Sequence, residues 1–158
     1  MSAKNASRED SGISVEPIGE VRNAVKELRK HGWEGVVSEL AIRPELEEAL
    51  SDVEEFSHII VVFWMHKAAS LSSIPAKVHP RGRRDCPLVG LFATRAPYRP
   101  NAVGVSVVRV LGRRGSVITV KGLDAIDGTP IIDIKPYLLR HDTPHDVGLP
   151  EWARKGDV

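Results

Sequence analysis

Two dense runs carry residue types that can do chemistry. The first is Phe92-Ala93-Thr94-Arg95-Ala96-Pro97-Tyr98-Arg99-Pro100-Asn101, with two guanidinium groups among turn formers. The second, Leu123 to Tyr137, reads LDAIDGTPIIDIKPY and sets three carboxylates and a lysine beside apolar segments. A structural turn needs Gly, Pro, Asn or Asp, but not paired arginines, carboxylates and tyrosines as well. Arginine offers a permanent, forked cation for a carboxylate or phosphate, and Asp133, Asp124 and Tyr137 can accept or relay a proton. The bland alternatives are ion pairing of Arg95 with Asp124 or Asp133, and a plain hairpin turn at Asp127-Gly128-Thr129-Pro130.

Charge is uneven. Lys77 to Arg99 holds six basic residues and one acid, and the rest of the chain 16 basic and 20 acidic residues, within a net charge of +1. A local cationic patch on a near-neutral chain suits an anionic partner at one place. Arg81, Arg83 and Arg84 beside Pro80 and Gly82 can contact phosphates, with Arg99 nearby, and Tyr98 or Phe92 can stack on a splayed base. Arg113 and Arg114, in Gly112-Arg113-Arg114-Gly115, read as a solvated hairpin tip. His79, Cys86, His141 and His145 lack the tight pairing of a zinc site, so no metal is expected. The single cysteine, Cys86, forms no intrachain disulfide, which fits a reducing cytosol. No apolar run approaches a membrane span, and no secretory signal is expected at the start.

The elements that must position these residues read as strands. Expected strands are Ile13 to Val21, Glu34 to Ile42, His58 to His66, Leu88 to Thr94, Ala102 to Leu111, Ser116 to Leu123 and Ile131 to Ile134. Pro44 opens a helix with Leu46, Leu50 and Val53 at helical spacing. Ala68 to Pro87 reads as a loop. Short turns and no strand–helix alternation argue an all-β fold, mainly an antiparallel β-barrel with one or two short helices. Expected boundaries are a flexible tail over 1–12, a barrel domain over 13–140 and a second tail over 141–158.

Glu55-Phe56-Ser57-His58, Phe92-Ala93-Thr94-Arg95 with Arg99-Pro100-Asn101, and Leu123 to Tyr137 resemble the TsaA-like (TrmO) family of tRNA methyltransferases. The resemblance runs from Val15 to Tyr137 and departs at Ala102, where the family usually has Pro. It implies a homodimeric β-barrel using S-adenosyl-L-methionine near the subunit interface to methylate N6 of threonylcarbamoyladenosine at position 37, in the tRNA anticodon loop. It further implies a short member without the extra C-terminal domain, acting in the cytoplasm. Carried over residue by residue, it implies cofactor contacts at His66, Lys67, Arg95, Val105, Asp127, Gly128, Thr129 and Pro130, with another in the segment from Lys30 to Trp33. Arg95, Asp133 and Tyr137 are the candidate catalytic residues. The proton acceptor stays open among Asp133, Asp124, Tyr137 and the cofactor itself. Two rivals remain: an RNA-binding barrel without chemistry, and a methyltransferase for another acceptor.

Overall fold

A computed structural model describes residues 12–68 and 73–154. Six strands close into an antiparallel barrel: β1 (Gly19–Arg22), β2 (Val37–Ile42), β3 (His58–Trp64), β6 (Val103–Arg114), β7 (Val117–Lys121) and β8 (Pro130–Pro136). Their order around the barrel is β1-β2-β7-β6-β3-β8. A small hairpin of β4 (Lys77–Val78) and β5 (Val89–Gly90) lies in the long β3–β6 connection. Two short helices, α1 (Leu139–Asp142) and α2 (Glu151–Arg154), follow the last strand.

Period-2 patterning fills the barrel. Val21, Leu40, Ile59, Val61, Ile118, Val120, Leu123 and Ile131 are wholly buried, each stabilising by about 1.5–3 kcal/mol. On β6 the inward positions are Gly104, Ser106 and Val108, which pair with Phe63, Val61 and Ile59 of β3. The outward positions are Val103, Val105 and Val107, opposite Trp64, Val62 and Ile60. Gly104 is dictated by packing: a Cβ there would fall 2.3 Å from the Phe63 ring.

Element ends differ from expectation for local reasons. The first strand begins at Gly19, because Pro17 cannot donate to a ladder and Ile13 and Val15 are exposed. The second begins at Val37, after a turn in which the Val36 N–H donates to Trp33 O. The segment from Pro44 to Leu50 is a 3₁₀ helix, followed by another over Val53–Glu55. Most of the expected Leu88–Thr94 strand is instead two residues of β5 and a 3₁₀ turn over Leu91–Ala93. The expected Ala68–Pro87 loop contains β4 and a 3₁₀ turn at Pro80–Gly82. The hairpin turn is Gly115–Ser116, with Gly115 at φ +57, so β6 runs through Arg113. That residue forks onto Glu54 at 2.8 and 2.9 Å rather than standing free at a tip. The expected tail over 1–12 lies, save Gly12, outside the described residues. No described helix is long and apolar enough to cross a membrane.

Candidate functional site

One end of the barrel collects the C-terminal end of β3, the start of β6, the start of β8 and the segment after β1. The register fixes this: Trp64 pairs with Val103, Phe63 pairs with Ile131, and the Met65 N–H donates to Ala102 O at 2.7 Å. His66 and Lys67 extend from β3, Arg95 precedes β6 in its feeding loop, and Asp127-Gly128-Thr129-Pro130 leads into β8. The sequence runs that hold Arg95 and Asp127 therefore enter the barrel on either side of β3.

The Asp127 turn is tightly built. Its carboxylate accepts the Asn23 N–H at 3.0 Å through Oδ1 and Lys26 Nζ at 2.6 Å through Oδ2. Hydrogen bonding from Lys26, then from the Asn23 amide, holds this carboxyl below its ordinary pKa. Asn23 itself donates to Ser38 Oγ and Ala125 O. Lys67 Nζ donates to Lys26 O at 2.8 Å, which draws the β3 end into the same network. Sequence motifs did not flag Asn23 or Lys26, and nothing in their local composition distinguishes them.

The turn's amides are not open to a ligand. The N–H groups of Asp127, Gly128 and Thr129 donate to Val25 O, Val21 O and Ile126 O. The Thr129 carbonyl accepts from Val21, and the carbonyls of Asp127 and Gly128 have no donor among the described residues. The turn thus presents acceptors. Gly128 sits at φ +74 with open space where a Cβ would be, so its need is conformational.

Two further groups have unused capacity. Arg95 is exposed and has no hydrogen bond or ion pair among the described residues. Its suggested partners are engaged elsewhere: Asp124 accepts from the Ser106 hydroxyl, and Asp133 pairs with Lys135 Nζ at 2.7 Å. His66 Nδ1 is buried with no partner among the described residues, although the His66 amide donates to Trp64 O.

Val105 lies on the outer face, 54% exposed, so core packing does not explain it. It pairs with Val62, which pairs in turn with Asp133. Val105 and Asp133 thus share a row across three strands, about 10 Å apart. Tyr137 lies at the other end of β8, its N–H on His58 O and its hydroxyl 2.9 Å from Thr143 Oγ1. Seven residues of strand set it roughly 23 Å from Pro130, apart from the Asp127 turn.

The basic residues divide. Arg81, Arg83 and Arg84 lie between β4 and β5, and Arg81 adopts φ +51. An open cleft of about 510 Å³ joins Arg81, Gly82 and Arg83 to Lys30 and His31 of the β1–β2 connection. Arg83 bonds to Asp85 through both nitrogens of its fork. Arg99 turns inward, donating to Thr94 O and Ala96 O, while Tyr98 is 43% exposed. The His79 ring donates through Nδ1 to Cys86 O at 2.8 Å, and no cluster of three metal-ligating side chains occurs among the described residues.

Residues 29–143 match the family described as the tRNA-methyltransferase O N-terminal domain. The chain is 42% identical over 132 residues to a probable S-adenosyl-L-methionine-binding protein of Methanothermobacter thermautotrophicus, covering 81% of this chain and 92% of that one. It is 41% identical over 104 residues to the human tRNA (adenine(37)-N6)-methyltransferase, covering 66% of this chain and 23% of the human protein. The solved structure of TrmO from Pseudomonas aeruginosa superposes with a TM-score of 0.67 at 33% identity, over 87% of this chain and 61% of that one. The chain thus spans less than two thirds of the human and Pseudomonas proteins.

Proposed function

From the footing that this chain belongs to the tRNA-methyltransferase O N-terminal domain family, we propose that it methylates a tRNA adenosine beside the anticodon, using S-adenosyl-L-methionine. The acceptor we assign is N6 of threonylcarbamoyladenosine at position 37. The observation that carries this reading is that the two connections flanking β3 hold an unspent guanidinium on Arg95 and a turn that offers carbonyl oxygens at Asp127 and Gly128.

That donor set fits the cofactor's chemistry. S-adenosyl-L-methionine supplies a methyl group on a sulfonium, released by in-line displacement without metal or covalent enzyme intermediate. Arg95 binds a carboxylate through its fork. The carbonyls of Asp127 and Gly128 accept from ammonium or amino N–H groups and favour positive charge. His66 Nδ1, buried and without a partner among the described residues, is available to a polar ligand atom. Holding the nucleophile in line is then the main task of the protein. N6 of a ureido group is a weak nucleophile and must lose a proton. Asp133 is the acceptor this reading favours, because it shares the Val105 row and its pair with Lys135 is exposed and weak. Tyr137, at the far end, is left to tie the end of β8 to Thr143, just after α1.

The outer face supports a homodimer. Val103, Val105 and Val107 are between 36% and 54% exposed and continue into Ile60, Val62 and Trp64. A second copy over this face would turn Val105 into a wall of an enclosed site. Arg81 and Arg84, with the Lys30 cleft, are the assigned phosphate contacts, and the tRNA substrate implies a cytoplasmic enzyme.

Calorimetry should show saturable S-adenosyl-L-methionine binding, and methyl incorporation should require tRNA carrying the threonylcarbamoyl group. Equal transfer to unmodified tRNA would reassign the acceptor. A protein that binds no cofactor would refute the enzyme reading. Val105→Glu should shift light-scattering mass from dimer to monomer, and a wild-type monomer would refute the dimer.

A further inference from the structure

Resting on the RNA reading above, we propose that Phe92 is a ledge on which an unpaired base of the acceptor RNA stacks, with Arg99 as its prop. Phe92 is 75% exposed. A single exposed Phe is ordinary, so exposure alone decides nothing. What distinguishes this ring is its support. Leu91, its neighbour in the 3₁₀ turn, is buried and anchors the turn. The Arg99 guanidinium carbon stands 5.4 Å from the ring centroid. Its Nη1 is held by Thr94 O at 2.8 Å and Ala96 O at 3.4 Å. Thr94 is fixed in turn, its hydroxyl donating to Leu91 O and accepting from the Ala96 amide.

The loop thus spends an arginine on steadying one exposed ring, and much of that ring remains open. A rigid aromatic surface costs little entropy to stack against. Every base has a π-face, and aromatic stacking beside cationic side chains is how unpaired nucleic acid is held. Cations lie in connected segments: Arg95 is in the same loop, and the β4–β5 hairpin bearing Arg81 and Arg84 is tied to it by the Leu91 N–H on Ala76 O. Arg99 is then a positioning residue rather than a phosphate contact.

An anticodon stem-loop with 2-aminopurine in its loop tests this. The wild-type protein should quench the probe by stacking. Phe92→Ala should lose the quench and bind about tenfold more weakly, while Phe92→Trp retains both. Arg99→Gln should weaken the quench. Cofactor affinity and oligomeric mass should be unchanged in Phe92→Ala. Wild-type quenching by Phe92→Ala, or a defect confined to cofactor affinity or to dimerisation, overturns the ledge while leaving the RNA reading intact. A wild-type protein that fails to bind the stem-loop overturns both.

Discussion

Arg95 and Asp127 make opposite uses of charge. Arg95 is exposed and makes no hydrogen bond or ion pair among the described residues, so Arg95→Ala should leave thermal stability within about 0.5 kcal/mol of wild type and abolish methyl transfer. Normal turnover in that variant would remove it from the site. Asp127 is a structural clasp. Its carboxyl is depressed when folded, so its contribution is present above the ordinary carboxylate range and lost as pH falls through the folded value. The stability gap between wild type and Asp127→Asn should therefore hold at neutral pH and close in strong acid, as chemical denaturation at several pH values will reveal. Gly128→Ala should cost about 1–2 kcal/mol, because the left-handed backbone alone penalises the new Cβ. The sequence exposed the types of these residues but not their commitments. Nothing in LDAIDGTP foretold that the Asp127 and Gly128 amides face inward, because their partners, Val25 and Val21, lie over a hundred residues earlier.

At the level of elements, alternation located most barrel strands but could not say which stripe faced in. On β6 the more apolar row, Val103, Val105 and Val107, faces out, and a row containing Gly104 and Ser106 faces the core. A period of two reports two faces, and tertiary pairing chooses between them. Two-residue strands such as β4 and β5 carry no period at all, so the hairpin bearing the basic residues was illegible. Arg113 reads as a solvated tip because its partner, Glu54, is 59 residues away. Gly104→Val should destabilise by about 1–3 kcal/mol through overpacking against Phe63. A Gly104→Val protein as stable in urea as wild type would contradict that packing.

Over the whole molecule, the barrel leaves no long strand edge unpaired, yet its closure is uneven. Seven residue pairs join β3 to β6, but only Gly19↔Ile131 and Glu20↔Pro130 join β1 to β8 in regular register. The remaining fastening is irregular and includes Ile18 to Ile131 at 2.8 Å, and Val21 to Thr129 and Gly128 to Val21 at 2.9 and 2.8 Å. The last two bonds use residues of the acceptor turn. The seam by which the cylinder would first unzip is therefore also the floor on which the methyl donor is proposed to rest. A small molecule there acts as a rivet across the join, and native-state amide exchange at Val21, Gly128 and Thr129 should slow when S-adenosyl-L-methionine is added, ahead of any change at Ile59 or Val108.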